Sequence, residues 1–292
     1  MLVNNMNVEE QIKKMIDDFD GNVSLYVKDE KGNVIKFNEN DIVETASCIK
    51  LFILIEYYNQ ILNNKISRED KIEYSSKEDC VMNGSGLIKY LDDFELSSKN
   101  IATLMMIVSD NVATNKMIEY LGFHNINNTI KELGFTNTLL KAKKLDFDHY
   151  NCVGQTTSYE YARAYEMIMK HEILTPELCD EIINILSHQK INVMITKYLS
   201  PKYLDKMCDD KFSLKFIASK SGSLGDEEND AMINCRNDGG IISTSIGNYI
   251  FSIFIRDFKD YYYYDDNIAI VFGAKISKLI FESFKKHNGS IK

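Results

Sequence analysis

Proline is nearly absent from this sequence. Pro176 and Pro201 are the only two in 292 residues, and no Pro-rich stretch, low-complexity linker or internal repeat divides the chain. No apolar run approaches the ~20 residues that a membrane-crossing helix needs, so no membrane span is expected. Basic residues are outnumbered, 34 Lys and Arg against 43 Asp and Glu, giving a net charge of -9. That balance argues against nucleic acid or an anionic membrane as the main partner. Residues 1–21 have neither a basic n-region nor an apolar h-region, so no signal peptide is visible. The protein is then expected in the cytoplasm if the chain is full length, or exported if a signal has been removed. The six cysteines, Cys48, Cys80, Cys152, Cys179, Cys208 and Cys235, form no C-x-x-C pair and read as free thiols. The five histidines form no H-E-x-x-H pattern. Neither a metal nor another cofactor is expected.

What is present is an ordinary soluble composition, 45% hydrophobic and 26% charged. A chain of 292 residues is near the upper limit for one core, so its length allows either one compact unit with two lobes or two domains, and a single unit is the expectation. Apolar residues at Val8, Ile12, Met15, Ile16 and Phe19 predict a helix. Residues 22–27 and 33–37 read as strands flanking the turn Asp29-Glu-Lys-Gly32. From Thr45 to about Ser187 the pattern is mostly helical. Strands return at 212–219, 240–245 and 249–255, and a last helix covers about 267–286. The expected fold is α+β: an antiparallel sheet from both chain ends, flanked by terminal helices, with an inserted all-α lobe. The α/β lobe takes residues 1–46 and about 205–292, the helical lobe about 47–204, and a cleft between them suits a small-molecule substrate. The run Tyr261 to Tyr264 reads as a surface loop or strand edge.

Three short motifs carry chemistry. Ser47-Cys-Ile-Lys50 is an S-x-x-K, a pattern that recurs at Ser187 to Lys190 and Ser283 to Lys286. Context separates the first: Ile49 and Leu51 to Ile55 surround Lys50 with apolar residues, and a helix apolar all round is buried. Lysine is almost never buried unpaired, and a spacing of three puts Ser47 on the same face. Burial lowers a lysine pKa, and a neutral amine beside a hydroxyl is a base beside a nucleophile. The alternative is a Lys50 that snorkels to solvent. Ser109-Asp-Asn111 follows the apolar run 104–108 and reads either as a site motif or as an N-cap for the next helix. Lys220-Ser-Gly222 ends the strand 212–219, where glycine lets a ligand approach closely; a strand-ending turn with a solvated lysine is the alternative.

S-x-x-K, S-D-N and K-[S/T]-G, in that order, resemble the signature of class A β-lactamases and penicillin-binding proteins. Gly84-Ser-Gly86, Thr156-Thr157 and the sheet-insertion-sheet order are similar to class A as well. The resemblance implies a serine acyl hydrolase. Ser47 would be acylated, Lys50 would take its proton, and Ser109 would pass a proton to the leaving nitrogen. Asn111 would hold the substrate amide, while Lys220 and Ser221 would bind its carboxylate. The N–H groups of Ser47 and Ser223, beside Gly222, would form the oxyanion hole. Ser47 is expected within hydrogen-bond reach of Lys50.

The chain departs from that family in two places. Class A enzymes carry a loop glutamate that activates the deacylating water, but residues 141–155 contain no glutamate. Asp146 is the candidate substitute, or else a loop-stabilising carboxylate. The family's carboxylate-binding arginine is also displaced, with Arg236 a few residues early as its candidate. The expected activity is hydrolysis of a β-lactam amide. A D-Ala-D-Ala peptidase or esterase with little β-lactam turnover is the alternative, and a non-catalytic binding protein the third possibility.

Overall fold

A computed structural model of the chain describes residues 7–81, 83–145, 153–191, 194–200, 213–225 and 234–289. Helix α1 (Val8–Asp17) starts with a capping box in which Asn7 and Glu10 each take the other's backbone N–H. Strands β1 (Asn22–Asp29) and β2 (Val34–Phe37) form a hairpin. A short strand β3 (Val43–Glu44) leads into a 3₁₀ turn, Ala46–Ile49, and then helix α2 (Lys50–Leu62). The chain returns to the sheet with β8 (Leu214–Ser219), β9 (Gly222–Leu224), β10 (Cys235–Thr244) and β11 (Gly247–Arg256). The last helix, α8, spans Ile268–Gly289. The main sheet runs β2-β1-β11-β10-β8, with β9 also on β10, and every pairing is antiparallel. The architecture is the α+β fold expected, with the sheet built from both chain ends.

Period-two patterning decides which side each core residue serves. In β11, Ile250 and Phe254 join a core around α2, while Phe251, Ile253 and Ile255 join a second core under α1 and α8. Every residue of β10 is buried, because helices cover both faces of the sheet there. Between β3 and β8 lie β4 (Lys71–Tyr74), β5 (Phe94–Ser97), α3 (Ser98–Ile107), α4 (Asn111–Leu121), α5 (Phe123–Glu132), β6 (Leu139–Leu140), β7 (Gly154–Thr156), α6 (Ser158–Met169) and α7 (Pro176–Ser187). The helices were legible. The pairs β4–β5 and β3–β7–β6 were not, since two to four residues are too few for alternation to register.

Several buried groups break the rule that charges stay outside, and one of them lies in the middle of the sheet. Asp238, on β10, is completely buried; its Oδ1 accepts the Gly239 N–H at 2.9 Å, and its Oδ2 has no partner among the described residues. Burial pushes its carboxyl up to about 7, against about 3.9 for an exposed aspartate. As pH rises from about 4 to about 7, the unfolded chain releases this proton while the folded chain keeps it, so stability falls across that window. Asp238→Asn is expected to remove this component. Thermal melts between pH 4 and pH 7 should show a flatter dependence for the variant than for the wild type.

Candidate active site

The turn that carries Ser47 is held on several sides. Ala46 has φ +45°, a left-handed conformation that non-glycine residues seldom adopt without support. The buried Glu44 carboxylate supplies some of that support, its Oε1 accepting N–H groups from Ala46 at 3.3 Å and Gly154 at 3.2 Å. The Thr45 N–H also reaches the Gly154 carbonyl at 3.0 Å. Ser47 is left partly exposed on the wall of a cleft of about 510 Å³.

Lys50, on the first turn of α2, is wholly buried, which excludes the snorkelling alternative. Its Nζ donates to the Ser109 carbonyl at 2.7 Å, Ser109 Oγ at 3.1 Å and Asn111 Oδ1 at 2.9 Å. The expected bond between Lys50 and Ser47 is not made. All three ammonium protons go to the Ser109–Asn111 segment, because Ser109 at φ +54° turns both its carbonyl and its hydroxyl back toward α2. Burial, followed by repulsion from Lys220, pushes Lys50 well below the usual lysine range.

The S-D-N motif is both a site element and a cap. Asp110 is the N-cap of α4, with Oδ1 accepting the Ala113 N–H at 2.9 Å. Its Oδ2 takes the N–H groups of Leu87 at 2.6 Å and Ile88 at 2.9 Å. Gly86 at φ +121° packs so closely that an added Cβ would stand 2.4 Å from the Asp110 carboxyl. Asp110 therefore anchors the Asn83-Gly-Ser-Gly86 loop on the rim, leaving Ser109 and Asn111 to line the cleft. This second task was not legible from the motif, because the contact joins residues over twenty positions apart.

Across the cleft, Ser221, Gly222 and Ser223 form the opposite wall. Lys220 does not line it. It is fully buried behind Ser221, with its ammonium on the Ser221 carbonyl, and burial lowers it to about 8. Ser221 donates its hydroxyl to the Ile191 carbonyl. Gly222 touches the turn that carries Ser47: an added Cβ would lie 2.6 Å from the Thr45 carbonyl oxygen and 2.9 Å from the Ser47 nitrogen.

Arg236 is buried and occupied. Its guanidinium donates to the carbonyls of Leu224, Cys235, Tyr261 and Tyr262 at 2.7–3.0 Å and stacks over Tyr263, 4.5 Å from the ring centroid. It does not line the cleft, but Tyr263 does, so the tyrosine run contributes a wall residue that sequence alone left as surface. Asp146 lies outside the described residues. A separate cavity of about 410 Å³, between α1, α8 and the β1–β2 hairpin, holds none of the residues of the three site motifs; of the recurrent S-x-x-K patterns only Ser283 lines it.

Because the Gly222 contacts are with backbone, they cannot relax by a side-chain rotation. Gly222→Ala is expected to displace β9 from the Ser47 turn. It should cost about 1–3 kcal/mol of stability and slow the acylation of Ser47 by about 10- to 100-fold. Thermal melts and single-turnover kinetics check both.

The model of the beta-lactamase enzyme family matches residues 7–284. No curated protein sequence matches the chain. Among solved structures, a β-lactamase from Sphaerobacter thermophilus is 21% identical, with 98% of each chain covered and a TM-score of 0.76. A class A β-lactamase from Bacteroides cellulosilyticus is 18% identical, covering 96% of this chain and 97% of its own, with a TM-score of 0.78. A variant of PBP-A, solved as an acyl-enzyme complex with penicillin G, is 21% identical over 96% of this chain and 97% of its own, with a TM-score of 0.78. These likenesses establish the fold. The family match takes in the whole sheet and the whole cleft, and the chain accordingly belongs to the β-lactamase enzyme family, a serine hydrolase of the β-lactamase type.

Proposed function

We propose that the cleft opens β-lactam amides through an acyl-enzyme on Ser47. The observation that carries this reading is the buried Lys50 amine, which shares its hydrogen bonds with Ser109 and Asn111 on the wall where Ser47 is exposed. A neutral Lys50 has two donors and one lone pair. It can keep two of its present bonds and turn the lone pair to the Ser47 hydroxyl, taking its proton as Ser47 Oγ attacks the carbonyl. The C–N bond then breaks as Ser109 gives its hydroxyl proton to the leaving nitrogen and receives from Lys50, across their hydrogen bond, the proton that Lys50 took from Ser47. Asn111 orients the substrate's side-chain amide. The Ser47 and Ser223 N–H groups stabilise the oxyanion, a role made feasible by the close approach of Gly222. Ser221, on the wall, meets the substrate carboxylate, and the Lys220 ammonium directly behind it supplies the positive charge that holds it, with Arg236 supporting that end by fixing Tyr263 on the wall. Because opposite walls come from the helical insertion and the returning sheet, the chain acts as one catalytic unit.

Deacylation needs a water-activating base, and residues 141–155 offer carboxylates only at Asp146 and Asp148. We assign the task to Asp146. The absence of glutamate there also favours a second reading, a D-Ala-D-Ala peptidase or esterase of the same fold that is acylated by β-lactams but turns them over slowly.

Steady-state hydrolysis of a penicillin by wild type, Ser47→Ala and Asp146→Asn separates these. Ser47→Ala is expected to abolish hydrolysis. Asp146→Asn is expected to leave acylation intact and slow release by roughly 10²–10⁴-fold. A selective loss of stability or acylation instead would assign Asp146 a structural role and favour the second reading. For the wild type, kcat/KM should decline as pH rises through about 8, where the Lys220 ammonium loses its proton and its hold on the carboxylate.

A further inference from the structure

The position of Lys220 depends on its backbone, and its carbonyl is an unusual junction. That oxygen accepts the Tyr161 hydroxyl at 2.8 Å and the Cys48 thiol at 3.4 Å. Tyr161 lies near the start of α6 and is completely buried. Its ring rests on Gly239, where an added Cβ would stand 2.8 Å from the ring edge. Gly239 faces Lys220 across the strands, and its carbonyl accepts the Lys220 N–H at 3.0 Å. Both polar groups of Lys220's backbone therefore answer to the same tyrosine, one directly and one through the glycine it covers. Tyr165 lies 3.3 Å from the Tyr161 oxygen; with Tyr161 committed to the carbonyl, Tyr165 is the donor between them. The other donor to the junction, Cys48, is the neighbour of Ser47. One carbonyl oxygen thus ties α6, the nucleophile's turn and the lysine strand together.

We propose that Tyr161 is a positioning residue: its hydroxyl sets where Lys220 stands relative to Ser47, and so tunes affinity for a substrate carboxylate that it never touches. A phenylalanine would fill the same space against Gly239 and pack equally well, so core packing alone does not require the hydroxyl. Burial also keeps that hydroxyl protonated, which makes it a constant donor. This inference rests on the reading of Lys220 as the carboxylate-binding group.

The test compares acylation by a penicillin with acylation by the same penicillin as its methyl ester, which lacks the carboxylate. Wild type, Tyr161→Phe and Lys220→Ala are measured as full chains. Tyr161→Phe is expected to lower the second-order acylation constant for the free acid by about three- to tenfold, the worth of one buried hydrogen bond, and to leave the ester rate unchanged. An equal loss on both substrates, or no loss, overturns the proposal. If Lys220→Ala also fails to discriminate acid from ester, the carboxylate reading of Lys220 is what has failed. Should Tyr161→Phe not fold, Cys48→Ala removes the other donor to the same oxygen, and the same acid-selective loss is required of it.

Discussion

A buried lysine is the constraint on which the site depends. Lys50 sits in a helix whose residues from Lys50 to Tyr58 are all buried, so its amine cannot reach water. Removing a partner from a buried charge costs about 3–5 kcal/mol, so the acceptors around it must be supplied by the fold. Ser109 and Asn111 supply them, and Ser109 does so at φ +54°, a conformation that the surrounding contacts enforce. Asp110, between them, caps α4 and secures the glycine loop on the rim. The same arrangement that satisfies Lys50 as a cation is what the proposed mechanism draws on when it uses the neutral amine as a base. Neutrality is favoured by the burial that makes the partners necessary.

The opposite wall follows a different principle, which is contact without side chains. Gly222 brings backbone against backbone at the Ser47 turn, and Gly239 and Gly240 leave room on β10 for Tyr161 and for Ser219. A site built this way is stiff, because main-chain contacts cannot rearrange one rotamer at a time. Lys220 and Asp238 lie buried on neighbouring segments of the sheet, each shifted by burial toward its neutral form. These charges cost stability. They sit beside the cleft, where local strain and unfavourable burial are most often tolerated for the sake of chemistry.

Much of this was legible in the sequence, for particular reasons. The apolar surroundings of Lys50 gave its burial, and strands at both ends of the chain gave the sheet. The motif order gave the cleft walls: Ser47, Ser109, Asn111 and Ser221 to Ser223 meet there, with Lys50 on the same lining and Lys220 just behind. What could not be read depends on side-chain direction. The bonds of Lys50 to Ser109 instead of Ser47 follow from a single left-handed residue, which a serine does not announce. Arg236 reads as a candidate anion ligand, yet carbonyls occupy it, and only the path of the Tyr261–Tyr264 loop brings those carbonyls near. Tyr161 carries no motif. Its contact with Lys220 spans 59 positions and exists only once α6 has packed on the sheet.

Everything proposed for the cleft follows from Ser47 being the nucleophile of an acyl-transfer site. The most direct measurement of that role is intact-protein mass spectrometry after incubation with a penicillin, followed over time and completed by peptide mapping. The mass is expected to rise by one intact penicillin, confined to the peptide that contains Ser47, and to fall back as hydrolysed product appears. No adduct at all, or an adduct mapped to a residue other than Ser47, would contradict that role.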